Sequence, residues 1–179
     1  MQQTPRRATL TVIAFGTAAL LGVAGSAFAH EDLNTRLKGY EEVPAVSSGA
    51  TGRFKASIDK ASQTISFEIS YSGLEGTVTQ SHIHVGQRGV NGGITIWLCQ
   101  TGTNPAPNAS TPTCPQSGTV SGTLSAADVT PNAGAIAQGI AAAEFAEVLA
   151  AIRAGVAYAN VHSSKFPGGE IRGQLRDDN

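Results

Sequence analysis

Apolar and polar residues alternate with a period of two along much of this chain. Phe54, Ala56 and Ile58 alternate with polar residues within 51–59, and the same alternation recurs within 64–71. Such alternation is typical of a strand with one buried face and one solvated face. Because only a short polar turn at 60–62 separates the two segments, they predict an antiparallel hairpin. Further strands are predicted, in chain order, at 77–85, 94–99, 118–124, 156–162 and 170–176.

One segment has helical periodicity instead. Phe145, Val148, Leu149 and Ile152 follow the i, i+3, i+4, i+7 spacing of an apolar helix stripe, and Gly155 is a suitable stop. We therefore predict a helix over 141–154. Short strands, frequent turns and a single helix indicate a mainly β fold. The predicted architecture is an antiparallel β-sandwich or barrel, immunoglobulin-like or copper-zinc-superoxide-dismutase-like, with one covering helix near 141–154.

The N-terminal segment has the pattern of a signal peptide. Arg6 and Arg7 precede an apolar stretch at 10–23, and Ala27-Phe28-Ala29 matches the small-x-small cleavage pattern. We predict a signal peptide over 1–29 and a single domain over 30–179. The predicted location is periplasmic or extracellular.

Charge narrows the range of partners. The chain has 12 basic and 13 acidic residues, and removal of Arg6 and Arg7 leaves ten against thirteen, a net charge of −3. No run of basic residues is present, which argues against nucleic acid and against an anionic membrane surface as partners after signal cleavage. The expected partner is an unidentified protein or a metal ion. The sequence gives no indication of oligomeric state.

The only two cysteines, Cys99 and Cys114, bracket a proline-rich segment. In an exported protein two cysteines most simply form one disulfide, and here it would close the base of a loop with little regular structure. A pair of thiolate metal ligands is the less favoured alternative in an oxidising compartment.

The four histidines raise the question of metal binding. His82 and His84 are two residues apart on a predicted strand, so both point to the same face, and His162 lies on another predicted strand. These three are candidate ligands for copper or zinc, and His30 is a possible fourth. The alternative is structural, with the histidines bonded to turn backbone or to Glu170. Both interpretations stay open from the sequence.

No catalytic constellation is recognisable. The glycine-rich segment 86–93 lacks the lysine and hydroxyl of a phosphate-binding loop, and no serine occupies a Gly-x-Ser-x-Gly elbow. Glu41, Glu42 and Glu170 are expected at a solvated edge or in a salt bridge to Arg172. We therefore expect no enzymatic activity.

Several segments, which follow one another in the same order as in that family, resemble the CHRD domain, a module defined in chordin and found in microbial secreted proteins. The residues that carry the resemblance are Gly39-Tyr40-Glu41-Glu42-Val43-Pro44, His82-Ile83-His84-Val85-Gly86, Gly89 with Asn91-Gly92, the block 154–163 and the block 166–175. The resemblance implies an extracytoplasmic β-sandwich without an established catalytic role. The 99–114 loop looks like a local insertion.

Two functions follow as hypotheses. The first is an exported, non-enzymatic CHRD-domain binding or structural module, for which the sequence assigns no ligand. The alternative is a periplasmic copper or zinc protein that uses His82, His84 and His162, possibly with His30. Superoxide dismutase activity is not the leading hypothesis, because its metal site needs more histidines than this chain has to spare, plus a bridging one.

Overall fold

Eight antiparallel strands form one sheet in the described part of the chain, and the sequence pattern predicts seven of them, all except the first. The computed structural model describes residues 30–175, so the predicted signal peptide over 1–29 lies outside the described residues. The strands are β1 (His30–Lys38), β2 (Thr51–Asp59), β3 (Thr64–Ser72), β4 (Val78–Val85), β5 (Gly93–Cys99), β6 (Gly118–Leu124), β7 (Ala157–Ser163) and β8 (Ile171–Leu175). The helices are α1 (Ala133–Ala137) and α2 (Phe145–Arg153), and Gly39–Glu41 and Ala126–Asp128 form 3₁₀ turns.

The strands lie in one sheet in the order β5-β4-β7-β8-β1-β2-β3-β6. The sheet curls into a nearly closed barrel, which brings its edge strands β5 and β6 near each other. An isolated bridge between Ile96 of β5 and Val129, just beyond β6, lies at this seam. The predicted hairpin is present, with β2 and β3 paired from Thr51 opposite Ser72 to Asp59 opposite Thr64.

The apolar positions of the alternating strands line the interior. Phe54 and Phe67 stack there with ring centroids 6.3 Å apart, and Leu37, Ile58 and Ile65 are fully buried around them. Helix α2 packs against β7 and β4 through the four apolar residues that predicted it. Among the described residues, no helix is long and apolar enough to span a membrane.

The two helices differ in how well the sequence predicted them. Helix α2 begins at Phe145 rather than at 141, because Ala143 takes a positive φ of 66° and ends any continuous helix there. Helix α1 was not predicted, since its small residues form no apolar stripe. Its signal is a local cap, in which the side chain of Asn132 accepts a hydrogen bond from the amide of Ala135 at 3.1 Å.

The predicted disulfide between Cys99 and Cys114 is present. It joins the end of β5 to the segment leading into β6, and so it crosses the seam of the barrel. Gln100 anchors the intervening loop, because its backbone bonds to Pro112 and Cys114 and its side chain bonds to Thr111 and Ala106. The bridge therefore ties the two edge strands together where the sheet has no continuous ladder.

Replacing both cysteines, in the pair Cys99→Ser and Cys114→Ser, is expected to lower the free energy of unfolding by about 3 kcal/mol, since the bridge closes a loop of this length. Urea denaturation measures the change. Wild-type protein unfolded in a reducing agent is the matched control and should lose the same amount. Superimposable curves for oxidised wild type and variant would show that the seam does not depend on the bridge.

Candidate functional site

Strands β4 and β7 pair side by side and bring three histidines together. In their register His84 lies opposite Tyr158, His82 opposite Asn160, and Gln80 opposite His162. Residues two apart on a strand share a face, so His82, His84 and His162 all belong to the face that also carries Asn160 and Tyr158. The same-face position of His82 and His84 was predicted from their spacing. The pairing of their strand with that of His162 is what completes the group.

The three imidazoles are close enough to share one ion. One ring nitrogen from each can be chosen so that all three lie within 4.8 Å of one another. The nearest pair, His82 Nδ1 and His162 Nε2, is 3.2 Å apart. At this distance the two nitrogens share one hydrogen bond in the metal-free protein. Ligand nitrogens around a tetrahedral zinc ion are roughly 3.3 Å apart, so the same spacing suits an ion in place of the shared proton. All three side chains are buried, with His82 fully inaccessible to solvent.

In two of the histidines, a backbone carbonyl holds one ring nitrogen in place. His84 donates from Nδ1 to the carbonyl of Gly92 at 3.0 Å, and His162 donates from Nδ1 to the carbonyl of Pro167 at 2.9 Å. A carbonyl only accepts, so each Nδ1 carries the proton and each Nε2 presents a lone pair. This arrangement, with one nitrogen held by the protein and the other directed inward, is the usual support of a metal-binding histidine.

Lone pairs outnumber donors inside the group. Among the described residues, Nε2 of His82 and Nε2 of His84 are buried without any hydrogen-bond partner. Nε2 of His162 also lies 3.0 Å from Oδ1 of Asn160, a second acceptor. That contact is favourable only if the amide presents its NH₂ group there or a cation lies between the two atoms. The cluster is therefore short of positive charge or protons.

Protonation of the histidines does not supply the missing positive charge at neutral pH. Burial, assisted by the neighbouring His162, lowers the pKa of His84 to about 4. Burial likewise lowers the pKa of His82 well below its usual value, and lowers that of His162. All three are neutral at pH 7, which is the form that ligates a metal.

Loops cover what would otherwise be the solvated face of the sheet. The turn after β4 brings the carbonyl of Gly92 onto His84, and it requires glycine there, since a Cβ on Gly92 would lie 1.6 Å from the Val85 carbonyl oxygen. Only Gly89 in this turn has a positive φ, so the glycines serve close approach as much as turn formation. Trp97 of β5 closes the other side, with its ring edge-on to His82 at 4.3 Å.

A buried arginine forms the next layer. Arg172 lies directly opposite Asn160, and its guanidinium stacks over the ring of Tyr158 at 3.3 Å. It donates to the carbonyls of Gln87 and Val90, which holds the covering turn in place. Tyr158 in turn stacks on His84, with parallel rings 4.7 Å apart. The fixed positive charge of Arg172 thus disfavours protonation of His84.

Two carboxylates expected at the surface are buried instead. Glu170 is fully buried and pairs with the hydroxyl of Ser48 and the amide of Glu75, not with Arg172 or with the histidines. Glu42 is also buried, and within the described part of the chain its Oε1 has no hydrogen-bond partner. The expectation of a solvated edge or an Arg172 salt bridge was therefore wrong for both. Glu41, by contrast, is paired with Arg88 near the surface.

Burial raises the pKa of Glu42 to about 7, against smaller opposing effects of Arg172 and Asn160. The unfolded chain then ionises between about pH 4.5 and 7 while the folded chain stays protonated. The contribution of Glu42 to stability should consequently fall by about 3 kcal/mol as the pH rises through this window. We expect Glu42→Gln to lack this loss, as measured by urea unfolding at pH 4 to 8 in EDTA.

Glu147→Gln is the matched control, because Glu147 is exposed on α2. Its stability should follow that of wild type at each pH. A difference between wild type and Glu42→Gln that stays constant from pH 4 to 8 would contradict a protonated Glu42.

The candidate ligands from the sequence thus divide into two sets. His82, His84 and His162 lie together, whereas His30 is exposed at the start of β1, opposite Asp59, and is not part of the group. Sequence reasoning missed Asn160, Glu42 and the Tyr158–Arg172 stack. The signal for Asn160 was its place on the same face as His162, two residues away.

Comparison with known proteins agrees with the resemblance in the motifs. The family model of the CHRD domain matches residues 33–175, which includes β2 to β8, most of β1 and the three clustered histidines. No curated protein and no solved structure gives a significant match. The chain therefore belongs to the CHRD domain family.

Proposed function

We propose that this CHRD domain is an exported, non-enzymatic module that binds one copper or zinc ion through His82, His84 and His162. The observation that carries the proposal is that three neutral imidazoles converge and that their nitrogen lone pairs outnumber the hydrogen-bond donors around them. Imidazole nitrogens suit both metals, and three histidines are a common ligand set for zinc. The disulfide supports an oxidising, exported location.

The surroundings favour a structural or carrier role for the ion over a catalytic one. A catalytic metal keeps a coordination position accessible to substrate, whereas these histidines lie beneath the 86–92 turn and the 164–170 turn. Asn160 Oδ1, which lies 3.0 Å from His162 Nε2, is a neutral oxygen beside the three histidines. An ion held here would link β4, β7 and the two covering turns.

Titration of the purified protein with Zn²⁺ and with Cu²⁺, followed by calorimetry, tests the proposal. We expect one ion per chain, and a loss of about 100-fold or more in affinity for His84→Ala, since one of three ligands is removed. His30→Ala is the matched control, because it removes a histidine outside the cluster. Equal affinity in wild type and His84→Ala, or loss of binding in His30→Ala, would refute the assignment.

A further inference from the structure

A second feature lies on the outer face of the barrel, away from the histidines. Nine lysines and arginines fall within residues 30–175. Five of them pair with a carboxylate, and Arg172 is buried against backbone carbonyls. The remaining three, Arg36, Lys38 and Arg53, have no carboxylate within salt-bridge distance among residues 30–175. All three are exposed, and they belong to the adjacent strands β1 and β2.

The register places these cations unusually close together. Arg36 of β1 lies directly opposite Arg53 of β2, and Lys38 is two residues further along the same face. Like charges directly opposite each other on a sheet are destabilising. Arg53 also donates to Oδ1 of Asn34 at 2.7 Å, which holds its guanidinium on the sheet surface. A chain with a net negative charge therefore concentrates its unpaired positive charge at one place and loses stability by doing so.

Two grooves meet at these cations. One, of about 520 Å³, extends over β3 and β6 and is lined by hydroxyl side chains, including Ser70, Ser72 and Thr119. The other, of about 380 Å³, extends toward β8 and the turn that carries Arg88. Glu41 lines the second groove, but it is already paired with Arg88. Arg36, Lys38 and Arg53 line both grooves, so an occupant that contacts the whole surface must be elongated.

The cross-strand rows explain why the hydroxyls adjoin the cations. Arg53 lies opposite Ser70 of β3, and Ser70 lies opposite Thr119 of β6. Together with Arg36 this gives one continuous row of two guanidinium groups followed by two hydroxyls. Neighbours in such a row are roughly 5 Å apart, and the next row begins roughly 7 Å away along the strand. Guanidinium groups bind carboxylate and sulfate oxygens in a bidentate manner, and hydroxyls bond to sugar hydroxyls.

We propose that this row of Arg36, Arg53, Ser70 and Thr119, together with Lys38 on the same face, is a binding site for an acidic polysaccharide, an extended glycan that carries carboxylate or sulfate groups. Nucleic acid fits less well, because the one aromatic residue in the grooves, Tyr71, is buried with its hydroxyl bonded to Pro115 and offers no face for base stacking. No exposed large apolar side chain lines either groove, so membrane insertion has no support there. This site is independent of the proposed metal cluster.

The test measures binding of the purified protein to fluorescent polygalacturonate, dextran sulfate and neutral dextran, and to an oligothymidylate. We expect binding to one or both acidic polymers, weaker at higher salt, and none to neutral dextran. The double variant Arg36→Gln, Arg53→Gln should bind at least about tenfold more weakly. The carboxylate and sulfate polymers distinguish the anionic group that the site prefers.

The matched control is the double variant Lys60→Gln, Arg153→Gln, which removes two positive charges that both pair with Glu31 on another part of the surface. It should bind the acidic polymer as wild type does. Equal weakening of binding in both double variants would show that binding depends only on net charge, and would overturn the proposed site. Absence of binding to both acidic polymers would overturn it too, as would equal or tighter binding of the oligothymidylate.

A stability measurement separates this binding role from a structural one. Because Arg36 and Arg53 repel each other across the strands, Arg53→Gln should unfold at the same or a higher urea concentration than wild type, while it binds the polymer more weakly. A substantial loss of stability in Arg53→Gln would show that the arginine pair serves the fold, and would contradict the proposal.

Discussion

Metal-free protein is expected to lose stability steeply below pH 6.5. Burial holds the pKa of His84 near 4 and lowers the pKa values of His82 and His162. The unfolded chain takes up protons at these histidines as the pH falls below 6.5, whereas the folded chain does not. Each buried histidine then removes about 1.4 kcal/mol of stability per pH unit until the pH reaches its folded-state pKa.

Glu42 offsets part of this loss. The pKa of Glu42 is about 7 in the folded protein and about 4.5 in the unfolded chain. As the pH falls, the folded protein therefore takes up this proton before the unfolded chain does. The net loss is therefore at most that of about two histidines, or up to roughly 3 kcal/mol per pH unit below pH 6.5. A domain of this size has a stability of about 5–15 kcal/mol, so a loss of up to about 6 kcal/mol between pH 6.5 and 4.5 is a large fraction of it.

Urea unfolding at a series of pH values in EDTA measures the slope. His84→Gln keeps a donor for the Gly92 carbonyl and should reduce the slope by about 1.4 kcal/mol per pH unit. His30→Ala, which removes an exposed histidine outside the cluster, is the matched control. A wild-type slope near zero from pH 6.5 to 4.5 would mean that the histidines accept protons in the folded state.

The second large effect is metal-linked thermal stabilisation, which rests on the proposed function. An ion that binds only the folded state adds about 2.7 kcal/mol when its free concentration is 100 times the dissociation constant. For a chain of this size such a gain raises Tm by about 5–10 °C. We expect this shift on addition of Zn²⁺ or Cu²⁺ at pH 7.5, because the three histidines hold together β4, β7 and the two turns over them.

The variant that tests it is His162→Gln, which retains a donor for the Pro167 carbonyl but lacks the inward imidazole nitrogen. Its Tm should not respond to either metal, whatever its value in EDTA. His30→Ala should show the full wild-type shift. A metal-induced shift of the same size in His162→Gln would place the bound ion outside the histidine cluster.

Local patterns were sufficient for most of the fold. Alternation located the strands to within one or two residues at β2 through β8, since a half-buried strand must present apolar side chains to one face. Strand β1 was only weakly marked, because its buried face is represented by Leu33 and Leu37 alone among polar neighbours. The disulfide followed from the presence of only two cysteines.

The candidate site was predictable only in part. The spacing of His82 and His84 fixed their common face, because side chains alternate along any strand. The approach of His162 depended on β4 pairing with β7, two strands that are more than 70 residues apart in the chain. Nothing local indicated that Glu42 is buried, since its sequence neighbours are those of an ordinary polar turn.

The sequence by itself thus determined which side chains share a strand face, where the turns fall and which cysteines pair. The tertiary structure decided which strands are neighbours, and therefore that His162 joins His82 and His84 and that Arg36 faces Arg53. It also decided that loops cover one polar face and leave the other exposed. The reason is physical: alternation is set by backbone geometry within a strand, whereas lateral pairing and loop burial depend on contacts between distant segments.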